Sequence, residues 1–234
     1  IGTDYLQTLE AASKKYGIPI RDKELVCAPI NSSEGRNYFA AVNAGINCAF
    51  ANRQAIAHLT RKAFKFMDVK PEEIETFYDI GHNNVKIERH TMDGKNVELM
   101  VHRKGSTRAF GPDREEVPKA YRSIGQPVLV GGSMGTASFI LHGTTKGMMD
   151  TFGSAIHGAG RIMSRNQAAG EVRGEHIINE LAKQGIIIKG HSMAGIAEEA
   201  PNAYKPVEQV VDVMHNAGIA MKVVSVRPLI SIKG

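Results

Sequence analysis

One histidine of this sequence has the surroundings that a nucleophile toward phosphorus needs. His157 lies in the segment SAIHGAGR at residues 154–161, where small residues flank the imidazole on both sides. A neutral imidazole can attack phosphorus when a cation or a metal ion stabilises the developing charge, and Arg161 is well placed to be that cation. A buried histidine that only packs against glycines is the alternative, and the residues by themselves leave both interpretations open.

A glycine-rich segment with hydroxyl side chains is the second candidate. Gly131 and Gly132 directly follow the apolar run at residues 127–130, and Ser133 and Ser138 come shortly after them. Glycines let a backbone approach an anion closely, and hydroxyls add hydrogen-bond donors, so the segment suits a phosphate or a sugar. It matches neither the Walker A pattern nor the dinucleotide-binding fingerprint, and a plain turn after a strand is an equally open alternative.

Two further segments could bind a metal ion or a phosphate. His82 lies in the segment DIGHNN at residues 79–84, and imidazole suits Mn²⁺ or Zn²⁺. One histidine is not a metal site, and no HxxxH or HExxH spacing occurs, so further ligands would have to come from elsewhere. The run His102–Lys104 with Arg108 forms a basic cluster that suits an RNA phosphate, although a solvated basic loop is the commoner explanation.

The composition is that of a soluble protein with a hydrophobic core. Hydrophobic residues make up 42% and charged residues 23%, and the net charge of +5 modestly favours polyanionic partners. No stretch approaches the roughly 20 apolar residues of a membrane-spanning helix, and no signal peptide is recognisable, so we expect a cytoplasmic protein without membrane contact. Cys27 and Cys48 sit in apolar surroundings without CxxC spacing, which predicts buried free thiols, whereas His90 is expected at the surface.

The elements that must position these residues are predicted to form an α+β fold, with paired strands and central sheets flanked by helices. The patterns predict helices at residues 5–16, 34–66, 173–184 and 207–217, and strands at residues 78–88, 96–103, 127–130, 138–142, 186–189 and 221–232. The Asp-Gly pair at residues 93–94 predicts a hairpin that begins just before His82. The alanine-rich helix at residues 34–66 is expected to be closely packed and buried, and the length favours one large domain.

Together these segments resemble the RtcB family of RNA-splicing ligases. The resemblance rests on the strings YDIGHNNV, VHRKGSTRAFGP, PVLVGGSMGTASFIL, SAIHGAGR and EEAPNAYK, followed by Lys233 near the C-terminus. The strings keep the family's order from about Tyr78 to the end of the sequence. This ordered set is far more specific than any single glycine motif.

The resemblance implies a GTP- and Mn²⁺-dependent ligase that joins an RNA ending in a 2′,3′-cyclic phosphate or 3′-phosphate to an RNA with a 5′-hydroxyl. On the family pattern His157 attacks the α-phosphate of GTP and forms a guanylyl-histidine. GMP then passes to the RNA 3′-phosphate, and the 5′-hydroxyl attacks the activated end and expels GMP. RNA such as cleaved tRNA halves would be the substrate, and archease is the activating partner that the family suggests.

The resemblance also implies roles for individual residues. His82 would be a Mn²⁺ ligand, and Lys104, Arg161 and Arg165 would hold phosphate or RNA. The nucleotide would contact His82, Asn83, Gly131, Gly132, Ser133, Met134, Ser138, His157, Gly158, Ala159, Gly160, Tyr204 and Lys233. Tyr204 and Lys233 would lie near the guanine base, where a lysine that donates to a guanine oxygen would favour GTP over ATP.

The sequence departs from the family pattern in one respect. The N-terminal portion of the family, which supplies an aspartate, a cysteine and two further histidines to the metal ions, is absent from residues 1–234, and neither Cys27 nor Cys48 matches that cysteine. We therefore expect residues 1–234 to be the C-terminal portion of a single ligase domain, to bind two Mn²⁺ ions only with ligands from outside this chain, and to be inactive by itself.

Two other functions are compatible with the residues alone. One is a metal-dependent phosphotransferase or phosphodiesterase in which His157 becomes a phosphohistidine. The other is a non-catalytic RNA-binding module that uses the basic cluster. The second is disfavoured because only 6% of the residues are aromatic and the sequence has no Trp, whereas modules that bind single-stranded RNA stack bases on aromatic side chains.

Overall fold

The computed structural model describes residues 2–232 of the chain and has the α+β architecture that the sequence predicts. By contacts the chain divides into two compact units, each of which is described by itself. The first unit comprises residues 1–88 and Leu99–His102, and the second comprises Arg89–Glu98 and residues 103–234. The expectation of a single domain stays a prediction.

Two helices dominate the first unit, α1 (Gly2–Lys15) and α2 (Ser33–Phe64), both close to their predicted bounds. The hydroxyl of Ser32 accepts a hydrogen bond from the N–H of Gly35 at 3.0 Å and caps α2. The expected burial of α2 is wrong, because Gly35 is its one buried residue among those described and Leu59 is 60% exposed. Alanine stabilises a helix whether or not the helix is buried, so its abundance here reflects helix propensity.

A hairpin contributes residues to both units. Its strands are β1 (Asn83–Met92) and β2 (Lys95–Lys104), joined by Asp93 and Gly94. These two residues have φ of 50° and 73°, the left-handed conformation that a two-residue hairpin turn requires, so the predicted turn is confirmed. The strand predicted to begin at residue 78 begins five residues later, at Asn83, so the hairpin starts just after His82 and not just before it.

An antiparallel sheet of three strands forms the centre of the second unit, in the order β4-β5-β7. Its members are β4 (Pro127–Val130), β5 (Ser138–Gly143) and β7 (Ala220–Val226). The first two agree with the predicted strands, whereas β7 ends six residues before the predicted Ile232. Two shorter strands, β3 (Ser106–Arg108) and β6 (Ser154–Ile156), form a separate pair. Helix α7 (Val207–Asn216) buries Val207 and Val211 in the same core cluster as Val128 and Leu141.

The remaining helices of the second unit are α3 (Thr145–Thr151), α4 (Arg165–Glu171), α5 (Gly174–Ala182) and α6 (Met193–Glu198). Of these, the sequence predicts only α5. The strand predicted at residues 186–189 is wrong, because no strand is found there. Ile186 and Ile188 instead pack against the buried cluster formed by α5 and α6, so their apolar pattern reflects packing on helices and not pairing with a strand.

Three side chains differ in exposure from the expectation. Cys27 and Cys48 are free but exposed, not buried. Cys27 follows a short 3₁₀ turn in a segment whose backbone bonds with the hydroxyl of Ser13, and Cys48 lies on the largely exposed helix α2. His90, expected at the surface, is only 3% exposed and lies edge-on to the ring of Phe110 at 5.9 Å between centroids. Within residues 2–232 no helix is long and apolar enough to cross a membrane.

The sheet of the second unit provides a test of the fold. Leu141 has no exposed surface and lies in the main core cluster, so Leu141→Ala is expected to lower the free energy of unfolding by about 2–5 kcal/mol. Val213→Ala is the control, because Val213 is 67% exposed and its truncation is expected to change stability by less than about 0.5 kcal/mol. Chemical denaturation of both variants checks this, and equal losses would contradict the described core.

Candidate functional site

A short antiparallel strand pair positions His157 in the second unit. Strand β3 (Ser106–Arg108) pairs with β6 (Ser154–Ile156), with Ser106 opposite Ile156. The residue before β3 and the residue after β6 therefore lie side by side, and these are Gly105 and His157. A Cβ atom added to Gly105 would be 3.9 Å from Nε2 of His157. The imidazole is exposed, and Gly105 beside it presents backbone without a side chain.

The glycine-rich loop after β4 lies directly beside the His157 loop. Gly131 and Gly158 form a parallel β-bridge, and the N–H of Gly131 donates to the carbonyl oxygen of His157 at 3.4 Å. A Cβ atom on Gly131 would meet nothing within 4 Å, so the backbone here borders open space. The structure thus brings together two glycine segments that are separated by 26 residues in the sequence. The pair can approach a bulky anion without side chains in the way.

The hydroxyls of this loop support its own shape. The N–H of Gly132 donates to the hydroxyl of Ser138 at 3.4 Å, and the hydroxyl of Thr136 donates to the carbonyl oxygen of Ser133 at 3.0 Å. A Cβ atom on Gly132 would lie 2.2 Å from the carbonyl oxygen of Ala137, so only glycine fits. Met134 packs its side chain against the cluster formed by α5 and α6, so a nucleotide contact of Met134 would have to use its backbone.

The segment after His157 is joined to the EEAPNAYK segment by backbone bonds. The N–H of Lys205 donates to the carbonyl oxygen of Gly160 at 3.0 Å, and the N–H of Ile162 donates to that of Ala203 at 2.8 Å. Arg161 and Tyr204 also form an antiparallel bridge. Three segments from distant parts of the sequence therefore meet around residues 157–161. They bring together Gly131, Gly132, Ser138, Gly158, Ala159, Gly160 and Tyr204 of the predicted nucleotide contacts.

Arg161 is bound by protein groups in this structure. Its Nη1 donates to the hydroxyl of Tyr204 at 2.7 Å and to Oε1 of Glu199 at 3.4 Å, and its Nε donates to the carbonyl oxygen of Met163 at 3.0 Å. The side chain is 22% exposed. The sequence suggests Arg161 as a cation for phosphate, and the structure shows that it also links three protein segments. Its contact with phosphate stays a prediction.

The hydroxyl of Tyr204 keeps its proton over a wide pH range. Partial burial raises the pKa of Tyr204 above its ordinary value, and the hydrogen bond to the carboxylate of Glu199 raises it further. Arg161 opposes this shift but does not cancel it. The tyrosine therefore acts as a hydrogen-bond donor at neutral pH, and its proton points at Glu199.

Two further basic residues lie near this region. Lys104 is exposed at the end of β2, immediately before Gly105. Arg165 is the first residue of α4, and its Nε lies 3.9 Å from Oε2 of Glu198 on a side chain that is 69% exposed. So exposed a pair contributes little energy, which leaves the guanidinium accessible to an anion.

The predicted metal ligand His82, which is also a predicted nucleotide contact, and the predicted nucleotide contact Asn83 belong to the first unit. His82 is exposed just before β1, and Asn83 is the first residue of that strand. Among residues 2–232 no group of three or more histidine, cysteine or carboxylate side chains could hold a metal ion. His82 by itself does not make a manganese site. The predicted guanine contact Lys233 lies outside the described residues.

Two residues of the site were missed by the sequence interpretation. Gly105 lies in the string VHRKGSTRAFGP, where the sequence indicates only a basic loop, and its nearness to His157 depends on the β3–β6 pairing. Glu199 belongs to the string EEAPNAYK, and its partners Tyr204 and Arg161 are 5 and 38 residues away in the sequence. In the sequence, Glu199 is recognisable only as a charged residue within a family motif, and that does not identify the side chains it contacts.

The family model and the relatives that match this chain carry the same description. A sequence model of the family described as tRNA-splicing ligase RtcB matches residues 1–234. The chain is 52% identical over 235 residues to a tRNA-splicing ligase RtcB of Archaeoglobus fulgidus, covering 99% of this chain and 49% of the relative. It is 48% identical over 237 residues to the protein of that name from Thermococcus kodakarensis, covering 100% of this chain and 49% of the relative. The chain thus spans about half the length of these relatives.

Proposed function

Because the chain belongs to the tRNA-splicing ligase RtcB family, we propose that it carries the nucleotide-transfer part of a GTP-dependent RNA ligase. The observation that best supports this is the setting of His157, whose exposed imidazole lies beside Gly105 and whose backbone is joined to the glycine loop at Gly131. A nucleophile that must accept a whole guanylyl group needs this kind of open, glycine-lined space.

The proposed reaction has three steps. A ring nitrogen of His157 attacks the α-phosphorus of GTP, the bond from that phosphorus to the bridging oxygen breaks, and pyrophosphate leaves. An oxygen of the RNA 3′-phosphate then attacks the guanylyl phosphorus and releases the histidine. Finally the 5′-hydroxyl of the second RNA attacks the RNA phosphorus, a 3′,5′-phosphodiester forms, and GMP leaves. A 2′,3′-cyclic end must be hydrolysed before it can enter this sequence.

The residues of the second unit have distinct proposed tasks. The open space at Gly131 and the backbone of Gly158 would accommodate the phosphate and ribose beside His157, with Gly132, Ser138 and Gly160 shaping the loops. Tyr204 would contact the guanine base. Lys104 and Arg165, both exposed, would attract the RNA phosphate. Lys233 would donate to a guanine oxygen and so favour GTP over ATP.

Manganese is proposed as the metal ion, with His82 as its ligand from this chain. The described residues do not complete such a site, so the steps above use only this chain's own groups. Cleaved RNA such as tRNA halves is the proposed substrate, archease is the proposed activator, and the cytoplasm is the proposed location.

RNA joining tests the proposal directly. The full-length natural protein is given one RNA with a 3′-phosphate and another with a 5′-hydroxyl, with GTP and Mn²⁺. Joined product that requires GTP is expected, together with release of GMP. Joining that needs a 5′-phosphate, or that proceeds equally well without GTP, would overturn the proposed reaction.

A further inference from the structure

We propose that Glu199 is a positioning residue that fixes the side chain of Tyr204 for nucleotide binding. The inference rests on the proposed function, in which Tyr204 contacts the nucleotide. Glu199 itself touches neither His157 nor the predicted phosphate cradle in the described contacts. It acts through Tyr204 and Arg161.

Tyr204 is held at its hydroxyl and at its ring face. Its hydroxyl donates to Oε2 of Glu199 and accepts from Nη1 of Arg161 at 2.7 Å. The guanidinium carbon of Arg161 also lies 4.7 Å from the centre of the tyrosine ring. These contacts leave the ring little rotational freedom, although tyrosine could otherwise turn about two side-chain bonds. The ring is thus oriented before any ligand binds, which lowers the entropic cost of binding.

The backbone of Glu199 is fixed by helix α6. It caps the C-terminus of α6, and its N–H donates to the carbonyl oxygen of Ile196 at 3.2 Å. Ile196 and Ala197 are buried in the cluster formed by α5 and α6. The carboxylate is therefore anchored to packed structure, whereas the side chain that it holds belongs to a loop.

The charges of Glu199 and Arg161 compensate each other in a partly buried place. Oε1 of Glu199 accepts from Nη1 of Arg161 at 3.4 Å, and the two side chains are 32% and 22% exposed. Removing the carboxylate would leave the guanidinium without its one carboxylate acceptor among the described contacts and the tyrosine hydroxyl without its acceptor. Both effects would release the ring of Tyr204.

The backbone around His157 does not depend on this carboxylate. The bonds from Lys205 to Gly160, from Ile162 to Ala203 and from Gly131 to His157 all join main-chain atoms. Loss of Glu199 should therefore disturb the tyrosine ring while the histidine loop keeps its position. Loss of Glu199 is therefore expected to weaken GTP binding and to leave the rate at saturating GTP nearly unchanged.

The test measures formation of the guanylyl-protein against GTP concentration in the full-length natural protein. Glu199→Ala is expected to raise the half-saturating GTP concentration about tenfold or more, with little change in the rate at saturation. Tyr204→Phe, which removes the same hydroxyl, is expected to shift the GTP concentration in the same direction. In the double variant the two shifts should not add, because both remove one interaction.

Glu208→Gln is the matched control, because Glu208 is an exposed glutamate of α7 and loses the same charge. It is expected to leave both quantities unchanged. A purely structural role of Glu199 would lower the rate at saturation and the unfolding temperature together, and that result, or fully additive shifts, would overturn the inference. His157→Ala distinguishes failure of the proposed function from failure of this inference. If His157→Ala still forms the guanylyl adduct, the proposed function is wrong. If His157→Ala forms no adduct and Glu199→Ala behaves like the natural protein, only the role of Glu199 is refuted.

Discussion

His157→Ala is expected to lower RNA joining by at least about a thousandfold, because removal of a covalent nucleophile leaves only binding and electrostatic stabilisation. The exposed imidazole contributes no core packing, so the folded state should be nearly unaffected. Joining of a 3′-phosphate RNA to a 5′-hydroxyl RNA is measured at saturating GTP, and thermal unfolding is measured on the same samples.

A second exposed histidine of the same unit provides the control. His191 lies in the loop before α6, and His191→Ala is expected to keep full joining activity. If both variants lose activity to the same extent, the loss reflects a general effect of the substitution. If His157→Ala joins RNA at the natural rate, the histidine is not the nucleophile.

Gly105→Ala is expected to lower guanylyl transfer about tenfold to 100-fold, the loss that a small misplacement of reacting atoms can produce. The added Cβ would lie in ordinary contact with Nε2 of His157, at 3.9 Å, so the protein without nucleotide tolerates it. A phosphate group bonded to that nitrogen would need the same space. The decrease should appear in the rate at saturating GTP.

The positive φ of Gly105 requires a control for backbone strain. Gly105 has φ of 67°, and any side chain at such a residue costs about 1–2 kcal/mol. Gly94 has φ of 73°, and a Cβ atom there would meet nothing within 4 Å. Gly94→Ala should therefore lose similar stability but retain guanylyl transfer. Equal losses of transfer in both variants would show that strain, and not the space beside His157, causes the effect.

The sequence predicts those parts of the fold that local patterns determine. The strand at residues 127–130, the Asp-Gly turn and the helix beginning at Val207 each follow from residues within one short window. The run at residues 186–189 shows the limit of such patterns. Three consecutive isoleucines at residues 186–188 satisfy a strand pattern, but Ile186 and Ile188 pack against the cluster formed by α5 and α6, and no partner strand is present in the described chain.

The candidate site depends mainly on contacts between distant residues, which no local pattern specifies. Strands β3 and β6 are three residues each and are about 50 residues apart, too short for their periodicity to be recognised. The motifs locate His157 and the glycines, but the pairing of these strands places Gly105 beside the imidazole. The contacts of Arg161 show the same limit, because a basic residue after a glycine motif suggests a phosphate, whereas the folded chain also gives it Glu199 and Tyr204 as partners.

The intact mass of the full-length natural protein, before and after incubation with GTP and Mn²⁺, tests the central claim most directly. We predict a gain of one guanylyl group, absent from His157→Ala treated in the same way. A gain of a phosphoryl group alone would indicate a phosphohistidine enzyme instead. No gain in the natural protein, or the same guanylyl gain in His157→Ala, would contradict the assignment of His157 as the residue that receives GMP.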